Sequence, residues 1–148
     1  MKIIFEADSG MALQVAKVTT HPAEKELWGQ LTHAIHSAER KIVVIDARND
    51  RKVEVPLSTI AVIQSEDRMC SVRLITGEMY LLGKRLKVVE EDLGSAAFMK
   101  INNQTIINMS YITAFSSTDQ ARVEVVLHDQ SSYFVSRHYM KTFKERLS

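Results

Sequence analysis

The sequence predicts a mainly β domain of the α+β class, with small antiparallel sheets and short helices. Three observations predict it. From residue 42 onward the chain is a succession of short runs rich in Val, Ile, Tyr and Phe, punctuated by turn residues. Three stretches carry apolar residues at helical spacing: one before that region, one within it and one at its end. Strands and helices do not alternate in the βαβ order that a parallel sheet requires.

In chain order, Ile3-Ile4-Phe5 and the alternating Met11, Leu13 and Val15 mark β-like runs over 2–7 and 11–18. Asp8-Ser9-Gly10 is a turn signal between them, so a hairpin is expected. A helix follows over 22–41. Pro22 suits its first turn, Leu27, Trp28, Leu31, Ala34, Ile35 and Ala38 keep one stripe, and Arg40-Lys41 oppose the negative end of the dipole. Ile42–Ile45 reads as a strand. So do the runs KVEVP, STIAVIQS, CSVRLIT and EMYLL, the last two joined by Thr76-Gly77-Glu78. Leu82, Leu86, Val89 and Leu93 form the stripe of a second helix that Gly94 ends. Strands AFMKI, TIINM, ITAFSS, ARVEVVLHD and SYFVS come next, with turns at Thr118-Asp119-Gln120 and Asp129-Gln130-Ser131. Tyr139, Phe143 and Leu147 give a closing amphipathic helix its packing face.

A chain of 148 residues with 45% hydrophobic and 25% charged residues fits one domain, neither disordered nor fibrous. No apolar run approaches the ~20 residues of a membrane span, and Ile3-Ile4-Phe5 is too short for a signal-peptide core. The single cysteine, Cys70, has no disulfide or zinc partner and is read as strand filler, so a cytoplasmic location is expected. Net charge is +1, which by itself announces no nucleic-acid partner. The tail is more basic: Arg137, Lys141, Lys144 and Arg146 stand against Glu145.

Catalytic patterns are weak. His33 and His36 share a helix face but have no third ligand at a familiar spacing, so no metal or other cofactor is expected. Ser136, His138 and Asp129 lie close in sequence, yet no Gly-x-Ser-x-Gly elbow surrounds the serine. The five glycines are isolated and make no phosphate loop. No enzymatic activity is expected. What remains is Asn102-Asn103-Gln104, three amides between apolar strands. Such amides serve as a solvated turn, or pair bidentately with an adenine edge, as arginine does with guanine.

The ordered segments LSTIAVIQSEDRMCSVRLITGEMYLL, RLKVVEEDLG, FMKINNQTIINMSYITAF and VEVVLHDQSSYFVSRHYMKTFKERL resemble the LytTR DNA-binding domain. The most specific pieces are Phe98, Lys100, Ile101, Ile106, Ile107 and Asn108, and then Val135, Ser136, Arg137 and Tyr139. The similarity covers about residues 53–148. A LytTR-type domain is therefore expected over 46–148, preceded by a short β-helix-strand segment over 1–45 that lacks a receiver's acidic phosphoacceptor pocket. This is the pattern of stand-alone members of the family.

The resemblance implies a transcription regulator that binds double-stranded DNA, its loops entering successive major grooves. It also implies a homodimer on repeated half-sites and a small membrane protein as a regulatory partner. The implied contacts are Arg68 in SEDRM, Asn102 and Asn103 in the amide run, and Arg137 ahead of the last helix. Lys100, His138, Lys141 and Lys144 are expected to meet the backbone. One departure bears on all of this. Where many members carry a basic residue, this chain has Asn102-Asn103-Gln104, which weakens phosphate attraction. The alternative is an interaction module that keeps the fold while its DNA contact has weakened.

Overall fold

Antiparallel pairing organises the chain from Lys41 onward. The structure, a computed structural model, describes residues 1–12, 15–94, 97–118 and 122–147. The chain divides into two compact units, Met1–Glu39 and Arg40–Ser148.

In the first unit a 3-10 turn, Pro22–Leu27, leads into helix α1, Trp28–Ala38. His21 caps it, its Nδ1 accepting from the Ala23 amide at 3.1 Å, and Pro22 sits where a missing N–H costs nothing. The Trp28 indole donates to Thr20 Oγ1 at 2.7 Å. The expected hairpin over 2–18 is absent among the described residues, which exclude Leu13. Only its turn forms, with the Gly10 amide on Asp8 Oδ1 at 2.8 Å, while Ile3, Ile4 and Phe5 stay exposed. A two-stranded hairpin is marginal without a third strand or an apolar face to pack on, and these residues bury none.

The second unit begins β1 (Lys41–Asp46), β2 (Arg51–Pro56), β3 (Ile60–Glu66), β4 (Met69–Leu74), β5 (Met79–Leu82) and α2 (Leu86–Leu93). It continues β6 (Phe98–Asn102), β7 (Thr105–Asn108), β8 (Ile112–Ser117), β9 (Val123–Leu127), β10 (Ser132–Val135) and α3 (Arg137–Leu147). Seven strands form one sheet in the order β2-β1-β5-β4-β3-β7-β6, and β10-β9-β8 form a second. The strand expected at 42–45 is β1, paired along its length with β2.

β3 is buried on both faces. A register shift between Ile60 and Val62 breaks the two-residue alternation, so Ile60 and Ile63 enter one core while Ala61 and Val62 enter the other. The first core gathers Val72, Leu82, Phe98 and Ile106 under Leu86, Val89 and Leu93 of α2. The second lies between Met99, Ile101 and Ile107 on one side and Val123, Val125, Leu127, Val135 and Phe143 of α3 on the other.

Leu82 is a correction to the helical stripe. It pairs with Cys70 as the last residue of β5, and α2 starts only at Leu86 because the backbone of Leu82 is held in the sheet. Gly94, at φ 73, ends α2, and Arg40 donates to the exposed carbonyls of Leu93 and Asp92 at 3.1 and 2.9 Å. Cys70 is wholly buried, and burial pushes its thiol up from the usual range, as suits a packing residue.

Polar ties hold the two sheets. Arg73 of β4 pairs with Asp129 and donates to Ser131 Oγ and the Tyr133 hydroxyl at 2.9 and 2.7 Å, all in or beside the β9–β10 turn. Asp129 is thereby held by Arg73 rather than by His138. Arg146 of α3 donates to the Phe98 carbonyl at 2.8 Å. Among the described residues no helix is long and apolar enough to cross a membrane.

Asn108 is fully buried at the end of β7. Its Nδ2 donates to the Ile60 carbonyl at 2.9 Å and its Oδ1 accepts from the Ser110 amide at 3.0 Å. Asn108→Ala removes both hydrogen bonds beside the β3 bulge. Its expected cost is about 2–4 kcal/mol of unfolding free energy, measured by urea denaturation.

Candidate nucleic-acid interface

Two backbone hydrogen bonds bring three distant pieces of chain to one rim. The first lies at the end of the β3–β4 hairpin, where Glu66 faces Met69 and only Asp67 and Arg68 make the turn. Asp67 takes φ 61, a left-handed conformation that aspartate tolerates better than most residues. Beside it runs the β6–β7 hairpin, because β3 also pairs with β7, with Gln64 opposite Thr105. The Ser65 amide donates to the Gln104 carbonyl at 2.8 Å, which locks the Arg68 turn to the amide run. On the far side of β6, the Ser136 amide donates to the Ile101 carbonyl at 2.9 Å and fixes the point where β10 gives way to α3. Arg137 is the first residue of that helix.

The three amides differ in what they do. Asn102 is half-buried and turned inward: its Nδ2 donates to the Phe134 carbonyl of β10 and its Oδ1 accepts from the Gln104 amide, both at 2.9 Å. It shapes the turn and ties it to the second sheet. Asn103 is exposed, and its Oδ1 accepts from the Tyr139 hydroxyl at 3.1 Å. That bond orients the amide. Gln104 is exposed at the turn's end.

Tyr139 is the positioning residue that periodicity hid. It keeps the place in the α3 stripe expected of it, half-buried against the second core. It also holds Asn103, carries Lys100 Nζ at 5.7 Å from its ring centroid and meets His138 edge-on at 5.0 Å. Spacing alone gives no signal for the Asn103 and Lys100 contacts, because those partners come from β6 and its turn. Phe143, fully buried and edge-on to Phe115 at 5.8 Å, anchors the helix beneath.

Arg68, Asn103, Arg137, His138 and Lys141 are exposed, and Lys100 is half-buried. Exposed guanidinium, imidazole, ammonium and amide groups on turns braced by strands make a surface suited to an anionic, polar partner. The fold and this rim define a β-rich binding domain. Residues 50–148 match the LytTr DNA-binding domain family, and the chain belongs to that family.

Two relatives are similar over part of their length. The sensory transduction protein LytR of Staphylococcus epidermidis is 35% identical over 72 residues, which are 49% of this chain and 29% of LytR. The sensory transduction protein LytT of Enterococcus faecalis is 29% identical over 98 residues, 66% of this chain and 40% of LytT. The chain thus spans less than half the length of either. A solved LytTr DNA-binding domain, from a Bacillus cereus protein described as a methyl-accepting/DNA response regulator, shares the fold. Its TM-score is 0.67 at 17% identity, over 75% of this chain and 99% of that domain.

Substitution separates the turn's scaffold from its surface. Asn102→Ala is expected to lower unfolding free energy by about 1–2 kcal/mol and to speed hydrogen exchange at the Gln104 amide. Asn103→Ala is expected to change stability by no more than about 0.5 kcal/mol.

Proposed function

We propose that the chain is a transcription regulator that binds double-stranded DNA sequence-specifically through this rim, without catalysis. The observation that carries the reading is the joining of the Arg68 turn, the Asn103 turn and the Arg137 helix start by the Ser65–Gln104 and Ser136–Ile101 hydrogen bonds. Elements so joined move as one body, so their side chains meet a duplex in fixed register. Arg137 and Asn103 read base edges in the major groove, arginine on guanine and the oriented amide on adenine. Arg68 assists from the next turn. Lys100, His138 and Lys141 meet phosphates and set the register. Asn102 belongs to the same turn and serves by shaping it.

Two copies on repeated half-sites complete the reading, as does action in the cytoplasm. A small membrane protein as regulatory partner rests on the family resemblance alone. Residues 1–45 are assigned to a short leading β-helix-strand segment, whose last strand joins the sheet as β1, and 46–148 to the DNA-binding domain.

Arg137→Ala is expected to abolish preference for a selected site over random duplex while shifting the thermal midpoint by less than about 2 °C, since Arg137 is exposed. Equal preference in the variant would overturn its assignment. In the unsubstituted protein, affinity is expected to fall steeply with salt, by about 0.9 logarithmic units per decade for each phosphate neutralised. A flat response would identify an interaction module instead.

A further inference from the structure

The turn that carries Arg68 is by itself a poor place to hold a phosphate. Glu66 and Asp67 immediately precede Arg68, and all three are exposed. Two carboxylates therefore stand within a Debye length of one guanidinium, about 8 Å at physiological salt, and offset it. A DNA backbone passing this turn needs positive charge from elsewhere.

The neighbouring strand supplies it. β5 pairs with β4 so that Leu82 lies opposite Cys70. β5 ends at Leu82 and the chain bends at Gly83-Lys84, so Arg85 leaves the sheet from the end at which β4 begins and the Arg68 turn lies. β5 and β4 are adjacent strands, about 5 Å apart, so the β5–α2 connection and the Arg68 turn start from neighbouring positions. Lys84 is engaged with Asp92 at 2.8 Å. Arg85 is exposed and forms no ion pair among the described residues. Its backbone is extended, at φ −74 and ψ 154, and the buried Leu86 that follows anchors it to the first core. The connections at this end follow the sheet order: the β5–α2 connection with Arg85, the β3–β4 turn with Arg68, the β6–β7 turn with Asn103, and then the start of α3 with Arg137.

We propose that Arg85 is a further DNA contact, a phosphate-binding residue on the β5–α2 connection that supplies the positive charge missing from the Glu66-Asp67-Arg68 turn. The proposal rests on the reading that this rim meets duplex DNA. As a backbone contact Arg85 adds affinity without sequence preference, whereas Arg137 adds preference.

The test is a salt titration of the full chain on duplex fragments that it enriches from random DNA, comparing the unsubstituted protein with Arg85→Gln, Arg85→Lys and Lys52→Gln. Lys52, exposed on the edge strand β2, removes the same charge from outside the connections that carry Arg85, Arg68, Asn103 and Arg137. Arg85→Gln is expected to reduce the salt slope by about one while the ranking of fragments is kept. Arg85→Lys should restore the slope, and Lys52→Gln should leave it unchanged. An Arg85→Gln slope equal to that of the unsubstituted protein, or a loss matched by Lys52→Gln, overturns the proposal while the DNA reading stands. Binding by the unsubstituted protein that ignores salt overturns both.

Discussion

The double burial of β3 is the constraint on which the rest of the domain depends. An antiparallel strand with one wet face would need only alternation, and IAVIQSE does not alternate at its start. Ile60 through Ile63 are all buried, and the bulge between Ile60 and Val62 distributes them between two cores. One core is closed by α2 and the other by the second sheet and α3. Because β3 pairs with β4 on one side and β7 on the other, the turns that leave its far end become neighbours. The rim is therefore a consequence of packing at the opposite end of the same strands. Asn108, bonded to the Ile60 carbonyl beside the bulge, holds the arrangement where hydrophobic contact alone would leave polar groups unpaired.

The amide run shows how this frame assigns different work to chemically similar neighbours. Asn102, Asn103 and Gln104 are alike in composition but not in surroundings. Asn102 sits at a register shift in β6, half-buried, and both ends of its amide bond other parts of the protein. Asn103, one residue on, projects from the turn and is steadied by a tyrosine from α3. A side chain that is oriented in advance loses less entropy on contact than a free one. The turn itself thus offers an oriented amide and no positive charge, which stands instead on neighbouring residues such as Arg137 and Lys141 of α3.

Much of the fold was legible in the sequence. The strands from 42 onward, Gly77 and Gly94 at positive φ, and the α3 stripe of Tyr139, buried Phe143 and Leu147 all follow from local pattern and turn chemistry. Two expectations failed for the same reason. Among the described residues the run at 2–18 has β-like composition but pairs with no strand, and Leu82 has helical spacing but lies opposite Cys70 in the sheet. Periodicity reports which face a residue would present, and pairing decides whether the element exists.

By itself, the sequence determined the class of the domain, its elements, and the residues of the family's motif, because alternation, helical spacing and turn residues are local properties. Only the tertiary structure decided that Asn102 is scaffold and Asn103 surface, that Tyr139 orients the latter, and that the Arg68 turn and the start of α3 flank one β6–β7 turn. Those relations join residues tens of positions apart through strand register and single hydrogen bonds. Neither is encoded in any window of sequence, because register is set by which faces the two cores bury.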